Sequence, residues 1–260
     1  MPDSKKLNHL RRGVIKHLFA GLVRNPPTTV EEFIKEVTAI ERVLQQRCRQ
    51  YERLTHAPAG AATSGAATYT LYRLAMNPAA QEKARQEVLA ATKDSSGTFS
   101  PDIHHHLHYV KACIKEALRF HPIIPGVNRK INHDVVMSGY CIPANTVLRT
   151  QPFVAGRLDE NFTRASEFLP ERWLRSSDDH SSKENDDTWN LHPFASLPFS
   201  IGPRMCIGRR IAEMEICILV AKVLKRYRVE NHHGDIGFLT QFTGKPEKPA
   251  KFRFVELNTT

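Results

Sequence analysis

Apolar positions recur at helical spacing in five stretches of the chain. The first is residues 26–54. Pro26-Pro27 block any helix arriving from upstream, and Thr28-Thr29-Val30-Glu31-Glu32 supplies two overlapping capping boxes. Val30, Phe33, Ile34, Val37, Ile40, Val43 and Leu44 then follow the helical period. A second pattern firms up from Thr68 through Tyr72, Leu74 and Met76, behind an Ala-, Gly-, Ser- and Thr-rich stretch, Ala57 to Ala67. That stretch reads as a junction or a thinly decorated helix. Asn77-Pro78 stops this helix and starts a third, Ala79 to Lys93, with Asn as N-cap, Pro at the first helical position, and Gln and Glu on the polar side. The fourth runs from Leu107 to Phe120, with Leu107, Val110, Ile114, Ala117 and Leu118 as its buried stripe. The fifth follows Cys206 to about Tyr227, with continuous apolar content that predicts burial.

Between the fourth and fifth helices, Val127 to Ile131, Val135 to Met137 and Thr146 to Gln151 are short β-branched runs. Turn residues at Ser138-Gly139 and Pro143-Ala144-Asn145 separate them, which predicts a small antiparallel sheet. Lys251 to Glu256 alternates as a half-buried strand. Asp94 to Thr98 is a loop, and Ser176 to Asn190, mostly Ser, Asp, Asn, Lys and Glu, reads as a flexible surface insertion. The fold class is mainly α with small β-sheets.

Composition narrows the field modestly. A chain of 260 residues can bury a sizeable core, as one large domain or two small ones. Its net charge of +10 suggests an acidic partner or surface. The five cysteines (Cys48, Cys113, Cys141, Cys206, Cys217) form no C-x-x-C pair, so neither a disulfide framework nor a zinc knuckle is supported. No apolar stretch is long enough to span a bilayer. Met1 to Asn25 is basic, with a short apolar run broken by Lys16, His17 and Gly21. It is poor in Ser, lacks a small-residue cleavage site, and reads as a short amphipathic helix rather than a targeting segment. Arg42, Arg47, Arg49 and Arg53 load the later turns of the first long helix and read as a solvated face rather than a nucleic-acid surface. Adjacent histidines on a short helix point in different directions, so His104, His105, His106 and His108 read as solvent-exposed rather than as one metal site.

The densest chemistry lies in Phe199-Ser-Ile-Gly-Pro-Arg-Met-Cys-Ile-Gly208, followed by Arg209-Arg210 and a helix. One cysteine sits in a glycine-bounded turn just before a helix N-terminus, where unpaired N–H groups favour a thiolate. Gly202 and Gly208 let the backbone turn sharply and lie flat against a neighbouring surface. Such a turn suits a thiolate under a large planar metal cofactor; a buried loop cysteine is the plainer alternative.

The spacing Phe-x-x-Gly-x-Arg-x-Cys-x-Gly, with Ala212 six residues past the cysteine, resembles the haem-binding loop of the cytochrome P450 family. Ser200 departs from the pattern, which most often has Gly there. Lys-Ala-Cys-Ile-Lys-Glu116-Ala-Leu-Arg119-Phe-His-Pro122 is similar to the family's Glu-x-x-Arg helix, and Pro170-Glu171-Arg172-Trp173 to the segment whose arginine completes that pair. The resemblance covers roughly residues 57–260 and is strongest to arthropod mitochondrial members. It implies the C-terminal, haem-binding half of the P450 fold, and an incomplete one. Residues 1–56 do not match; part of them is similar to gag-like segments of arthropod retroelements, which opens the reading of a mis-joined gene.

The resemblance assigns further roles. Cys206 becomes the axial ligand of haem iron, and Phe199, Gly202, Arg204, Gly208 and Arg129 its cofactor-binding neighbours, the two arginines meeting the haem propionates. Glu116, Arg119 and Arg172 form a structural triad. Ala59-Gly60-Ala61-Ala62-Thr63-Ser64 is the nearest match to the family's oxygen-relay motif, but Ala62 stands where the acid belongs. Thr63 is either the relay hydroxyl or an ordinary helix-face threonine. Lys111 and Lys115, four apart on one helical face, and Arg209-Arg210 resemble the surface that receives an acidic ferredoxin; solvated lysines are the alternative. The activity implied is a monooxygenase acting on an apolar substrate with O2. Peripheral membrane association and the matrix side of the mitochondrial inner membrane are implied as well, with the endoplasmic reticulum as the other location. The rival readings are a truncated, inactive P450 product and a chimera with a nucleic-acid-binding-like N-terminal segment.

Overall fold

The computed structural model describes residues 59–92, 99, 102–174, 192, 194–240 and 243–257. The helix expected over 26–54, the whole of segment 1–56, the loop from Asp94 to Thr98 and the insertion from Ser176 to Asn190 lie outside them. Two compact units divide the chain. One comprises Met1–Ala61 and Ala90–His106, where the described residues hold the ends of two helices and a 3-10 turn, Ile103–His105. His105 and His106 in that turn are exposed. No group of three or more metal-ligating side chains converges among the described residues.

The second unit, Ala62–Leu89 with Leu107–Thr260, contains everything else. Its helices are α1 (Ala59–Met76, entering from the first unit), α2 (Pro78–Ala91, leaving into it), α3 (His108–Phe120), the single turn α4 (Pro152–Ala155) and α5 (Arg209–Arg226). Antiparallel pairs join β1 (Val127–Lys130) to β4 (Val147–Thr150), β2 (Val135–Met137) to β3 (Tyr140–Ile142), β5 (Tyr227–Glu230) to β8 (Arg253–Glu256), and β6 (Leu239–Thr240) to β7 (Gly244–Lys245). The expected single sheet is therefore two separate ladders. β3, β5, β6 and β7 were not anticipated: runs of two to four residues carry too little period to read as strands.

The core is built where α3 meets α5 and the Pro170–Trp173 turn. Val110, Cys113, Ala117, Ile216, Cys217, Val220 and Leu224 are all buried there. Burial of α5 begins only at Ile216; its first two turns are half-buried or exposed, contrary to the reading of a wholly buried helix. β8 is likewise mostly exposed rather than half-buried.

Two polar side chains set the packing of these helices. α3 has no capping side chain at Leu107, and the Glu87 carboxylate of α2 takes that place, accepting from Tyr109 N at 2.7 Å and Val110 N at 3.0 Å. Gln81 lies on what the sequence assigns to the polar face of α2, yet it is buried. Its Oε1 accepts from Val229 N at 2.8 Å, and its Nε2 donates to Val229 O at 2.9 Å and Leu74 O at 3.0 Å. One amide thus substitutes for the neighbouring strand that β5 lacks on that side. Asn77 accepts through its backbone from Gln81 N, as an N-cap does, while its side chain donates backwards to Arg73 O at 2.7 Å.

Candidate haem-thiolate site

Cys206 stands at the end of a tight, exposed turn three residues before α5. Ser200 N donates to Leu197 O at 3.0 Å, Met205 N to Gly202 O at 3.0 Å, and Cys206 N to Phe199 O at 2.9 Å, so the loop closes on itself at both ends. Gly202, at φ +73°, occupies the left-handed region where glycine carries no steric penalty. Ser200 occupies the same region at φ +59° with a side chain attached. Gly208, by contrast, has φ −84° in the ordinary helical region, so it does not make the sharp turn expected of it. A Cβ added there would stand 3.9 Å from the Cys206 sulfur, an ordinary contact, so the atoms of the turn leave room for a side chain at this position.

The surface around the sulfur is unusually apolar for solvent. Ile207 is 76% exposed, and Met205 and Ile201 are exposed at 46% and 44%. Arg204 is exposed on the same turn. Arg129, from β1, approaches it: its Nη2 donates to Ser200 Oγ at 3.3 Å and its Nη1 to Asn128 O at 2.9 Å. Phe199 is half-buried, with the Arg209 guanidinium 5.9 Å from its ring centre.

These residues fit haem. Among the described residues Cys206 belongs to no group of three or more His, Cys, Asp or Glu, so it makes a poor site for a bare ion but suits a metal whose other ligands arrive with a ring. Exposed isoleucine and methionine side chains suit the ring's apolar face, and two arginines suit its carboxylates.

On α3, Glu116 is fully buried between two arginines. Its Oε1 accepts from Arg119 Nη2 at 2.7 Å, Arg172 Nε at 3.1 Å and Leu169 N at 3.0 Å. Its Oε2 accepts from Arg119 Nε at 2.9 Å and Trp173 Nε1 at 2.8 Å. One carboxylate cannot neutralise two guanidiniums, and backbone carbonyls supply the balance. Arg119 donates to Gly156 O, to Ala165 O at 2.8 Å and to Glu167 O at 3.0 Å; Arg172 donates to Thr163 O at 3.0 Å and Arg164 O at 3.3 Å. Burial nevertheless lowers the Arg172 pKa below its usual value, against the pull of Glu116. The residues that sequence reasoning missed here are Leu169 and Trp173. Only the tryptophan beside Arg172 left a signal, in the Pro-Glu-Arg-Trp string.

A second buried polar group lies where α1 meets the end of α3. His121 stacks on Tyr69 with ring centres 4.0 Å apart and planes 6° from parallel. Arg73 Nη2 is 3.5 Å from His121 Nε2, and the Arg73 guanidinium lies 4.0 Å from the Phe120 ring centre. Burial, reinforced by Arg73 and Arg157, pushes the His121 pKa down to about 2. Its Nδ1 and Arg73 Nε are buried without a hydrogen-bond partner.

The remaining sequence-derived candidates are more scattered. Thr63 is half-buried on α1, and among the described residues no hydrogen bond links it to the cysteine turn. Lys115 is exposed with its ammonium 5.8 Å from the Trp173 ring centre, Lys111 is half-buried, and Arg210 is exposed. Arg209 is tied to Glu213 at 3.0 Å, which offsets one of the four positive charges. No helix of the described residues is long and apolar enough to cross a membrane.

Comparison with known proteins places this arrangement. The sequence pattern of the family "Cytochrome P450" matches residues 57–254. The chain is similar to "Probable cytochrome P450 12a5, mitochondrial" of Drosophila melanogaster, at 37% identity over 75% of this chain and 37% of that protein. It is also similar to "Cytochrome P450 CYP12A2" of Musca domestica, at 38% identity over 75% of this chain and 37% of the relative. A third relative is "1,25-dihydroxyvitamin D(3) 24-hydroxylase, mitochondrial" of Rattus norvegicus, at 34% identity over 74% of this chain and 35% of the relative. The chain thus spans just over a third of the length of these relatives. With the cysteine turn, the buried Glu116 pair and the matched span together, the chain belongs to the cytochrome P450 family, whose cofactor is haem.

Proposed function

We propose that this chain forms the cysteine-bearing part of a haem-thiolate monooxygenase, which inserts one atom of O2 into an apolar organic substrate and receives its electrons from a ferredoxin-type donor. The observation that carries the reading is the exposure of the Cys206 thiol in a closed turn, flanked by bare apolar side chains and by Arg129 and Arg204. Haem, when bound, supplies oxygen activation, helped by electron density from the thiolate.

The chain's own residues do the holding. Cys206 ligates the iron, and the bonds closing its turn fix where the sulfur points. Arg129 and Arg204 donate to the propionates. The exposed Ile201, Met205 and Ile207 would shield a bound ring from water. Thr63 holds or passes a proton through its hydroxyl, without the carboxylate partner that Ala62 replaces. Glu116, Arg119 and Arg172 keep α3, which itself packs on α5, against the Pro170–Trp173 turn. Lys111, Lys115 and Arg210, with Arg209 partly offset by Glu213, form the cationic approach for an acidic electron donor. The names of two relatives say mitochondrial, which supports the same location here, with peripheral contact to the inner membrane on the matrix side.

Titrating the purified chain with ferric haem tests this reading. One haem per chain is expected, with an absorption spectrum that changes in Cys206→Ala. Uptake with an identical spectrum in the variant would overturn it.

A further inference from the structure

Ser200 combines two features that have no common cause in the turn alone. Its backbone adopts φ +59°, a conformation that costs an L-residue and spares glycine. Its hydroxyl is also the point where the cysteine turn meets β1, through the 3.3 Å hydrogen bond from Arg129 Nη2. The backbone strain is not forced by a missing partner, because Ser200 N and the neighbouring Phe199 O are both bonded within the turn. The side chain therefore has to supply the reason for a serine.

We propose that Ser200 is a positioning residue: its hydroxyl tethers Arg129 to the cysteine turn, so that β1 and the Cys206 loop present their groups to the cofactor's carboxylates as one unit. This rests on the haem-thiolate reading for its purpose but not for its geometry. A guanidinium carries five N–H groups. The bonds to Asn128 O and Ser200 Oγ use two of them on the two terminal nitrogens, leaving donors for a carboxylate. Without the tether, a long side chain on an exposed strand samples many rotamers and must be ordered when the cofactor binds. With it, part of that ordering is already done.

The tether can be tested on the full chain without haem. Dicarbonyl modification of arginines, followed at each peptide by mass spectrometry, reads the freedom of Arg129, with Arg149 on the adjacent strand as internal control. Arg129 should react about three-fold faster in both Ser200→Gly and Ser200→Ala, the worth of one exposed hydrogen bond, while Arg149 is unchanged. Gly removes the backbone strain and Ala keeps it, so a shared effect belongs to the hydroxyl. Equal Arg129 rates in all three proteins overturn the proposal. In haem titrations, Ser200→Gly and Arg129→Gln should weaken binding non-additively, because each removes the same interaction; additive losses also overturn it. If no form takes up haem, the haem-thiolate reading fails, and the modification rates still decide the tether.

Discussion

Trp173 Nε1 donates to Glu116 Oε2 at 2.8 Å, which makes the tryptophan the fifth N–H group on one buried carboxylate. The indole brings a neutral donor to a site that already carries two positive charges and one negative. It satisfies the second carboxylate oxygen without adding a third cation. Trp173→Phe should therefore lower stability by about 2 kcal/mol, the cost of leaving a charged acceptor short of one donor. Glu116→Gln should cost more, about 4 kcal/mol, because it strands two buried guanidiniums. Urea unfolding of the three proteins measures both. A smaller loss for Glu116→Gln than for Trp173→Phe would contradict this ranking.

Gln81 bonds both backbone groups of Val229 and so closes the open side of β5. Replacing it with leucine keeps the volume but leaves Val229 N–H and C=O buried without partners, a loss of about 3 kcal/mol. Hydrogen exchange at Val229 should speed up correspondingly. Unchanged protection at that amide would show that the clamp does not hold the strand.

His121 gives the fold a defined pH dependence. Its pKa is lowered from 6.5 to about 2 in the folded chain, first by burial and then by Arg73 and Arg157, against a weaker opposing pull from Asp235. Below pH 6.5 the unfolded chain takes up a proton that the folded chain refuses, so stability is full above that pH and falls as pH drops towards the folded value. His121→Phe keeps the stack on Tyr69 and removes the titration. Its stability relative to the parent should improve by about 2 kcal/mol between pH 7 and pH 5. A constant difference across that range would mean that His121 titrates normally.

Arg129 and Arg204 lie on different elements, and each should contribute separately to haem affinity. Arg204→Gln and Arg129→Gln should each raise the haem dissociation constant about ten-fold, as expected for the loss of a charge-assisted hydrogen bond. Their thermal stability without haem should stay near the parent's, since both side chains are exposed.

Much of this was legible along the chain, for reasons that can be named. Glu116 and Arg119 stand three apart on one side of the strongly amphipathic α3, but the family resemblance rather than spacing joined Arg172 to them. Cys206 was legible from its glycines and the helix behind it. Gln81 and Glu87 were not, because a polar residue on a helix reads as solvated unless the backbone groups it will meet are known. Those groups belong to Val229, Tyr109 and Val110, which are distant in sequence. The left-handed backbone at Ser200 was hidden for a related reason: residue type alone does not forbid serine there. Gly208 misled in the opposite direction, since its backbone is ordinarily helical rather than sharply turned.

The most direct measurement is the absorption of the haem-supplemented chain, reduced and exposed to carbon monoxide, beside Cys206→Ser. If Cys206 is the thiolate ligand, the parent shows a strongly red-shifted Soret band and the variant loses it while keeping its far-ultraviolet circular dichroism. A red-shifted band that survives in Cys206→Ser, or haem bound without the shift in the parent, would contradict thiolate ligation by this residue.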